Sequence, residues 1–446
     1  MSPLLIRGGR IIDPAQGRDE IGSLLVSDGK ISWQGKGEVT PSRTDCDVLP
    51  AGGLIVCPGF IDLHCHLRQP GFEDKETIAT GTQAAARGGF TTICCMPNTS
   101  PPLDTRNTIE LVKAEAAKSG VVRVLPIGCV SKGRAGETLA PLSELAAGGV
   151  VGFSDDGSPV LNTSVMLSAL RASRILGLPI IDHCEHTGLT EGGVMNWGSL
   201  SISLSLKGMP GAAEEIMVAR DVALAGMVGG WVHIAHVSTE ESVDIIRGAK
   251  QAGIRVTAEV TPHHLTLTEQ KVRNYDANTK VNPPLRTEKD VLALIQGLRE
   301  GVIDIIATDH APHTPAEKAA GFAQAPSGIS VFETALGSLM GLVHSGQLTL
   351  VPLISKLTSE PARILSDRQG RLGTLAIGAP ADLCIFDPAR EWLVEPDKFA
   401  SKGKNTPLSG SKLKGKVMAT IYQGKVAYKD DSITIEEAKK EGKIVG

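Results

Sequence analysis

Two histidines one residue apart, His64 and His66, close an apolar run in "PGFIDLHCHLRQPG", and Arg68 follows two residues later. On a β-strand, residues i and i+2 share a face. Both imidazoles can therefore reach one ion, at about 2.0–2.1 Å for a zinc–nitrogen bond. Other apolar runs end in residues of the same kind: Asn98, Asp155 and Asp156, His183 and Glu185, His236, His263 and His264, and Asp309, His310 and His313. A single buried histidine is usually a satisfied core residue. Polar groups at the ends of this many apolar runs are not explained by packing, because burial without a partner is costly. Imidazole and carboxylate together suit zinc, with manganese and iron as open alternatives. The set is large enough for two ions, and two ions need an anionic bridge. An aspartate from the pair Asp155–Asp156 is available; neighbours on a strand point to opposite faces, so only one of them can serve.

The elements that must position these residues follow one rhythm. Apolar, strand-like runs such as "FTTICCMPN", "LPIIDHCE" and "DIIATDHAPH" alternate with amphipathic segments at 77–87, 106–118, 164–176, 212–228, 240–252 and 288–299. Eight strand–helix units over residues 58–365 predict a (β/α)8 TIM barrel, whose active site lies at the C-terminal strand ends. Residues 1–57 and 366–446 are written instead in short strands and turns, with "SDGK" as a hairpin turn. They predict a small discontinuous β-sandwich domain formed by the N- and C-terminal segments, followed by the charged tail "SITIEEAKKEGKIVG".

Bulk properties agree. The 446 residues are 41% hydrophobic but only 3% aromatic, with 50 glycines, which suits tightly packed α/β layers rather than a base-stacking surface. A net charge of −4 without a basic block argues against nucleic acid and anionic membrane as partners. No apolar run reaches the roughly 18 residues of a membrane helix, and the N-terminus does not resemble a signal peptide. The eight cysteines form no CxxC pair, as expected of reduced, mostly buried thiols in a cytoplasmic protein.

With "GGFTTICCMPNTSPP", "GFSDDGSPV", "EVTPHHL", "KVNPPLR" and "GTLAIGAPADLCIFD", these stretches resemble the class I dihydroorotases of the amidohydrolase superfamily over nearly the whole chain. HxH alone would indicate the superfamily; HxHxR together with MPNT is more specific. The resemblance implies the reversible cyclisation of N-carbamoyl-L-aspartate to (S)-dihydroorotate, the third step of de novo pyrimidine (UMP) biosynthesis. It implies His64, His66 and Asp309 as ligands of a first zinc and His183 and His236 as ligands of a second. The two ions in each subunit would be bridged by Asp156 and a hydroxide, with Asp155 as the fallback. Many relatives bridge with a carboxylated lysine, and "VVGFSDDG" offers none.

The resemblance further implies Asp309 as the catalytic acid and base. It makes Arg68, Asn98 and His313 the clamp for the substrate carboxylate, with His66 also touching substrate. Asn282 and the Ser327–Gly328 backbone become contacts to the pyrimidine ring. A guanidinium fork pairs bidentately with a carboxylate, the group that hydantoins and dihydropyrimidines lack. The plainer reading of Arg68 is a rim ion pair with Glu73 or Asp74. His263 and His264 are expected at a strand end in supporting or packing roles, His310 pointing away from the site, Cys184 in packing, and His233 and His344 as structural or exposed residues. The Ala/Pro/Gly-rich segment 311–330 is a loop able to cover the site. The alternatives are a related cyclic amidase (allantoinase or dihydropyrimidinase) and an inactive structural partner of aspartate transcarbamoylase, which would be expected to lose metal ligands. The expected assembly is a homodimer, with a complex with aspartate transcarbamoylase as a further option.

Overall fold

In the computed structural model, which describes residues 2–37, 46–366 and 369–437, the two styles of sequence form separate sheets. Strands Leu4–Asp13, Arg18–Ser27, Lys30–Lys36, Asp47–Pro50 and Ile55–Pro58 come from the N-terminal segment. Leu383–Leu393, Lys412–Tyr422 and Lys425–Lys429 come from the C-terminal one. All eight join one sheet, through antiparallel pairing of Leu383–Phe386 with Ile55–Pro58. The "SDGK" turn is built from Asp28 and Gly29, both at positive φ (50° and 73°), which matches the twist of a two-residue hairpin. Leu24, Leu49, Val56, Leu383 and Ile385 share one buried cluster, so both chain ends contribute to a common core. The charged tail lies, from residue 438 on, outside the described residues.

Between these ends the pairing is parallel. Phe60–Cys65, Phe90–Cys95 and Arg123–Pro126 form one set; Ile180–Asp182, Val232–Ile234, Val256–Val260 and Ile305–Ile306 form another. Single parallel bridges connect them: Gly128 to Phe153, Phe153 to Ile180, and His310 back to Cys65. Every residue of Phe60–Cys65 and of Phe90–Cys95 is buried, the mark of strands covered on both faces. Helices Ile78–Arg87, Arg106–Ser119, Thr163–Leu176, Ala212–Val228, Glu240–Gln251 and Glu288–Glu300 alternate with the strands, close to their expected limits. Thr77, Thr105, Thr239 and Thr287 accept backbone N–H groups at four of the helix starts.

Two expectations are corrected. The fourth apolar run, "VVGFSDD", makes only isolated bridges at Phe153, and Asp155 turns aside to bind the preceding loop. His263 and His264 do not end a strand. Thr261 caps and Pro262 opens the short helix Pro262–Thr266 that carries them; proline's fixed φ fits the first helical position.

Candidate active site

The first and last strands are laced together, and the lacing sets the site. Asp62 accepts Thr308 N–H and Thr308 Oγ1–H, each at 2.7 Å. Asp309 N–H then donates to His64 O, and His66 N–H to His310 O, both at 2.9 Å. His64, His66 and Asp309 are thereby brought to one point, with their ligand atoms within 4.8 Å of one another. His66 Nε2 lies 3.0 Å and His64 Nε2 3.6 Å from Asp309 Oδ1. Backbone strain marks this region. Arg68, His236 and Asp309 adopt left-handed φ values of 62°, 31° and 47°, which non-glycine residues rarely hold without surrounding constraint.

A second set adjoins the first. Asp156 Oδ1 is 3.5 Å from His183 Nδ1, 3.7 Å from His236 Nε2 and 3.4 Å from His64 Nε2; the two imidazoles of His183 and His236 meet at 2.8 Å. Asp156 Oδ2 is 3.5 Å from His66 Nε2. Asp156 therefore faces both sets. Asp155 faces neither: its carboxylate accepts Val130 N–H, Ser131 N–H and the Ser131 hydroxyl. Burial pushes the Asp155 carboxyl up to about 6 against those bonds.

The donor set fits cations. His64 Nε2 and Asp156 Oδ1 are buried and aimed at each other without a hydrogen bond, an arrangement that is unfavourable unless a positive charge lies between them. Burial works against the charged form of His64, yet Glu259 and Asp156 outweigh it and hold its pKa well above the usual imidazole value. Burial likewise opposes charge on His183, while Asp156 and Glu185 raise it to about 10. Asp156 and Asp309 are held well below the carboxylate range despite burial, Asp156 by His64, His183 and His236 and Asp309 by His66 and His64. Protons stand where a metal charge would substitute.

Two carboxylates that the strand-end pattern did not single out as supports orient these imidazoles. Glu259, fully buried in Val256–Val260, accepts from His64 Nδ1 at 2.5 Å, His233 Nε2 at 3.1 Å and His236 N–H at 3.3 Å. Glu185 accepts from His183 Nε2 and from Asn282 Nδ2, both at 2.8 Å. A carboxylate behind a ligating imidazole fixes its tautomer and strengthens it as a donor to metal. Glu259 was recoverable from sequence as a lone acid inside the apolar run "IRVTAEV", where burial demands a partner.

The clamp residues line the same 190 Å³ cavity as the cluster, with Asn282, Ser327 and Gly328. Asn98 Oδ1 accepts His66 Nδ1–H at 2.9 Å, so Asn98 both orients a cluster histidine and faces the cavity. Arg68 Nε donates to Pro312 O at 3.2 Å. Among the described residues Arg68 has no ion pair, and Glu73 and Asp74 are not its partners. His313 Nε2 is 2.9 Å from Ser327 O and 3.3 Å from the Arg68 guanidinium. One ring nitrogen cannot donate to the carbonyl and accept from arginine at once. The shorter contact gives the Nε2–H tautomer and leaves that arm of Arg68 free for a ligand. Burial, then the Arg68 charge, pushes His313 down to about 3, so it is neutral at working pH.

The remaining histidines separate from the site. His310 accepts Val331 N–H at 3.0 Å and stacks on Phe332, away from the cluster, as expected. His264 is held by Thr261 Oγ1 and Pro283 O, and His263 is buried beside it. His233 is buried and His344 exposed. All eight cysteines are buried.

The fold is a mixed α/β one that brings a buried histidine–aspartate cluster suited to cations to one cavity. The structure resembles an L-hydantoinase (dihydropyrimidinase) from Arthrobacter aurescens, with a TM-score of 0.86 at 24% identity over 98% of each chain. It also resembles a dihydropyrimidinase from Brevibacillus agri NCHU1002, with a TM-score of 0.84 at 22% identity over 98% of this chain and 97% of that one. At these identities the likeness speaks for fold. Sequence decides further. A family model described as "Dihydro-orotase-like" matches residues 53–242. The chain is 50% identical to the dihydroorotase of Pelotomaculum thermopropionicum over 96% of its length and 99% of the relative's. It is 49% identical to that of Geobacter sp. strain M21 over 95% and 99%. This chain belongs to the dihydroorotase family.

Proposed function

We propose that this protein catalyses the reversible cyclisation of N-carbamoyl-L-aspartate to (S)-dihydroorotate with loss of water, the third step of de novo pyrimidine biosynthesis. The observation that carries the reading is Arg68: a half-buried guanidinium without an ion-pair partner among the described residues, facing the cavity that holds the histidine–aspartate cluster. A half-buried, unpaired cation of this kind calls for an anionic ligand, and its fork matches a carboxylate. A hydantoinase-type reading draws on fold alone and leaves Arg68 unexplained. An inactive scaffold would not need all six ligand positions, and all six are present.

His64, His66 and Asp309 would hold one zinc, His183 and His236 a second, with Asp156 between them. When bound, two such ions polarise a carbonyl or carboxylate oxygen and lower the pKa of water. The residues of the chain supply the rest. Arg68 and Asn98 donate to the α-carboxylate and His313 joins them by turning its Nε2–H from Ser327 O to the carboxylate, with His66 at the substrate's edge. Asn282 and the Ser327–Gly328 backbone orient the ureido group so that its nitrogen faces the side-chain carboxylate. Asp309, held ionised, takes a proton from that nitrogen as it attacks the carboxylate carbon and passes it to the departing oxygen, which leaves as water with a second proton from solvent. In the hydrolytic direction Asp309 takes a proton from water and delivers it to the leaving ring nitrogen.

The alternation of parallel strands and helices supports residues 58–365 as a (β/α)8 barrel presenting this site at its C-terminal strand ends. The common core of the two chain ends supports 1–57 and 366–446 as a β-sandwich domain. The same reading carries a cytoplasmic homodimer, free or bound to aspartate transcarbamoylase, which size-exclusion chromatography with and without that enzyme would separate. The direct test is ring closure of carbamoyl aspartate by the purified protein, before and after zinc chelation. Zinc-dependent formation of dihydroorotate is expected; no turnover at any metal loading would contradict the proposal.

A further inference from the structure

Asn405 lies in the C-terminal segment, outside the residues that carry the site, yet it is 3% exposed beneath the site's binding loop. Its amide is fully used. Oδ1 accepts His313 N–H at 3.0 Å and the Ser330 hydroxyl at 2.9 Å. Nδ2 donates to Ala311 O and to Gly328 O, each at 3.0 Å. Its backbone carbonyl accepts Ser330 N–H at 2.8 Å. The His313 N–H can only donate and both carbonyls facing Nδ2 can only accept, so rotating the amide by half a turn would break three of the four contacts.

These contacts tie together the two ends of the 311–330 loop. One end carries His313; the other carries Ser327 and Gly328. Gly328 sits at φ 141°, and a Cβ there would lie 2.7 Å from Ala311 O, so the two backbones already touch. The strap around Asn405, residues 400–405, reaches the rest of the clamp. A Cβ on Gly403 would lie 2.4 Å from Pro312 Cβ, and the Pro312 carbonyl holds Arg68 Nε. Ser401 Oγ–H and Lys402 N–H donate to the buried Glu76 at 2.5 and 3.2 Å, which anchors the strap against the loop after Arg68.

We propose that Asn405 is a positioning residue for substrate binding: it sets the spacing of the 311–313 and 327–330 segments, and so places His313 and the Gly328 backbone, with Arg68 set alongside by the strap. This rests on the substrate assignment made above. A staple that served stability alone would lower the amount of folded enzyme without changing how the folded fraction binds. A positioning residue changes KM.

The test measures kcat and KM for carbamoyl aspartate, with zinc content per chain, in wild type, Asn405→Asp, Asn405→Ala and Gly403→Ala. Asn405→Asp keeps an acceptor at both Oδ1 contacts and loses both donations. The expected result for both Asn405 variants is a KM raised about tenfold or more, kcat within about threefold, and unchanged zinc content. Gly403→Ala keeps the asparagine but sets a Cβ against Pro312 Cβ, Ser330 Oγ and Asn405 Oδ1, at 2.4, 2.5 and 2.8 Å, so it disturbs the same junction and raises KM in the same way, which keeps the proposal testable if the Asn405 variants do not fold. Unchanged KM in folded, zinc-loaded variants would overturn the positioning role while leaving the proposed function standing. Failure of wild type to close the ring would overturn the functional reading, and the role of Asn405 with it.

Discussion

The histidine–aspartate cluster and the Arg68–Asn98–His313 group, proposed as metal ligands and carboxylate clamp, share one cavity but are built differently. Apart from Asp156, which follows the isolated bridges at Phe153, the cluster sits on or just beyond regular strands. Its imidazoles are backed by carboxylates: buried Glu259 behind His64, half-buried Glu185 behind His183. The clamp sits on loops. Arg68 follows its strand at left-handed φ, and His313, Ser327 and Gly328 lie on one long connection held from below by Asn405. On the proposed function, the chemistry would rest on the strand framework, and substrate choice on loops that a remote segment fixes in place. Substitutions in the first region should affect metal binding and turnover, and substitutions in the second should affect affinity and discrimination.

The largest effect should come from Asp309→Asn. Loss of the proton carrier should lower kcat by about 10²–10⁴-fold in both directions; turnover near wild type would remove Asp309 from the mechanism. Glu259→Gln should come next. Without its carboxylate behind His64, zinc affinity should fall about 10–100-fold, read by competition with a chromophoric chelator, while KM for the zinc-restored enzyme stays near wild type. Unchanged zinc affinity would break the distinction between the two regions from the cluster side.

The smallest effect tests the strap. Glu333 accepts Ala400 N–H at 2.8 Å and Ser401 N–H at 3.2 Å, and burial pushes its carboxyl up to about 7 from an ordinary 4.5. The folded state therefore holds this proton more tightly than the unfolded one. Its contribution to stability is present below about pH 4.5 and is lost as pH rises through about 7. Glu333→Gln cannot ionise and should reduce the fall in Tm between pH 5 and pH 8 by roughly 1–3 °C. An unaltered pH profile of Tm would show that Glu333 does not titrate in this range.

The same contrast explains what could be read from the sequence. His64 and His66 were legible because period-two spacing puts them on one face of a strand. Asp156 was separable from Asp155 only as one of two opposite faces; in the structure Asp155 is consumed by Val130 and Ser131. The short helix at Pro262 was misread as strand because an apolar run before a Thr-Pro pair has no strand-specific ending. Its Thr cap and Pro at the first helical position were the available signal. Asn405 was not legible: its partners lie 75 to 94 residues away in the chain, and no local period records a contact of that range.

The most direct test of the account is substrate discrimination at Arg68. Wild type and Arg68→Gln would each be assayed for hydrolysis of dihydroorotate and of dihydrouracil, the same ring without the carboxylate, with zinc content measured alongside. Wild type should prefer dihydroorotate strongly. Arg68→Gln should lose that preference by about 10²-fold at unchanged zinc content, as expected for removal of a charge-assisted, bidentate contact. A variant that keeps the full preference, or a wild type that prefers dihydrouracil, would contradict the assignment of Arg68 and the substrate built on it.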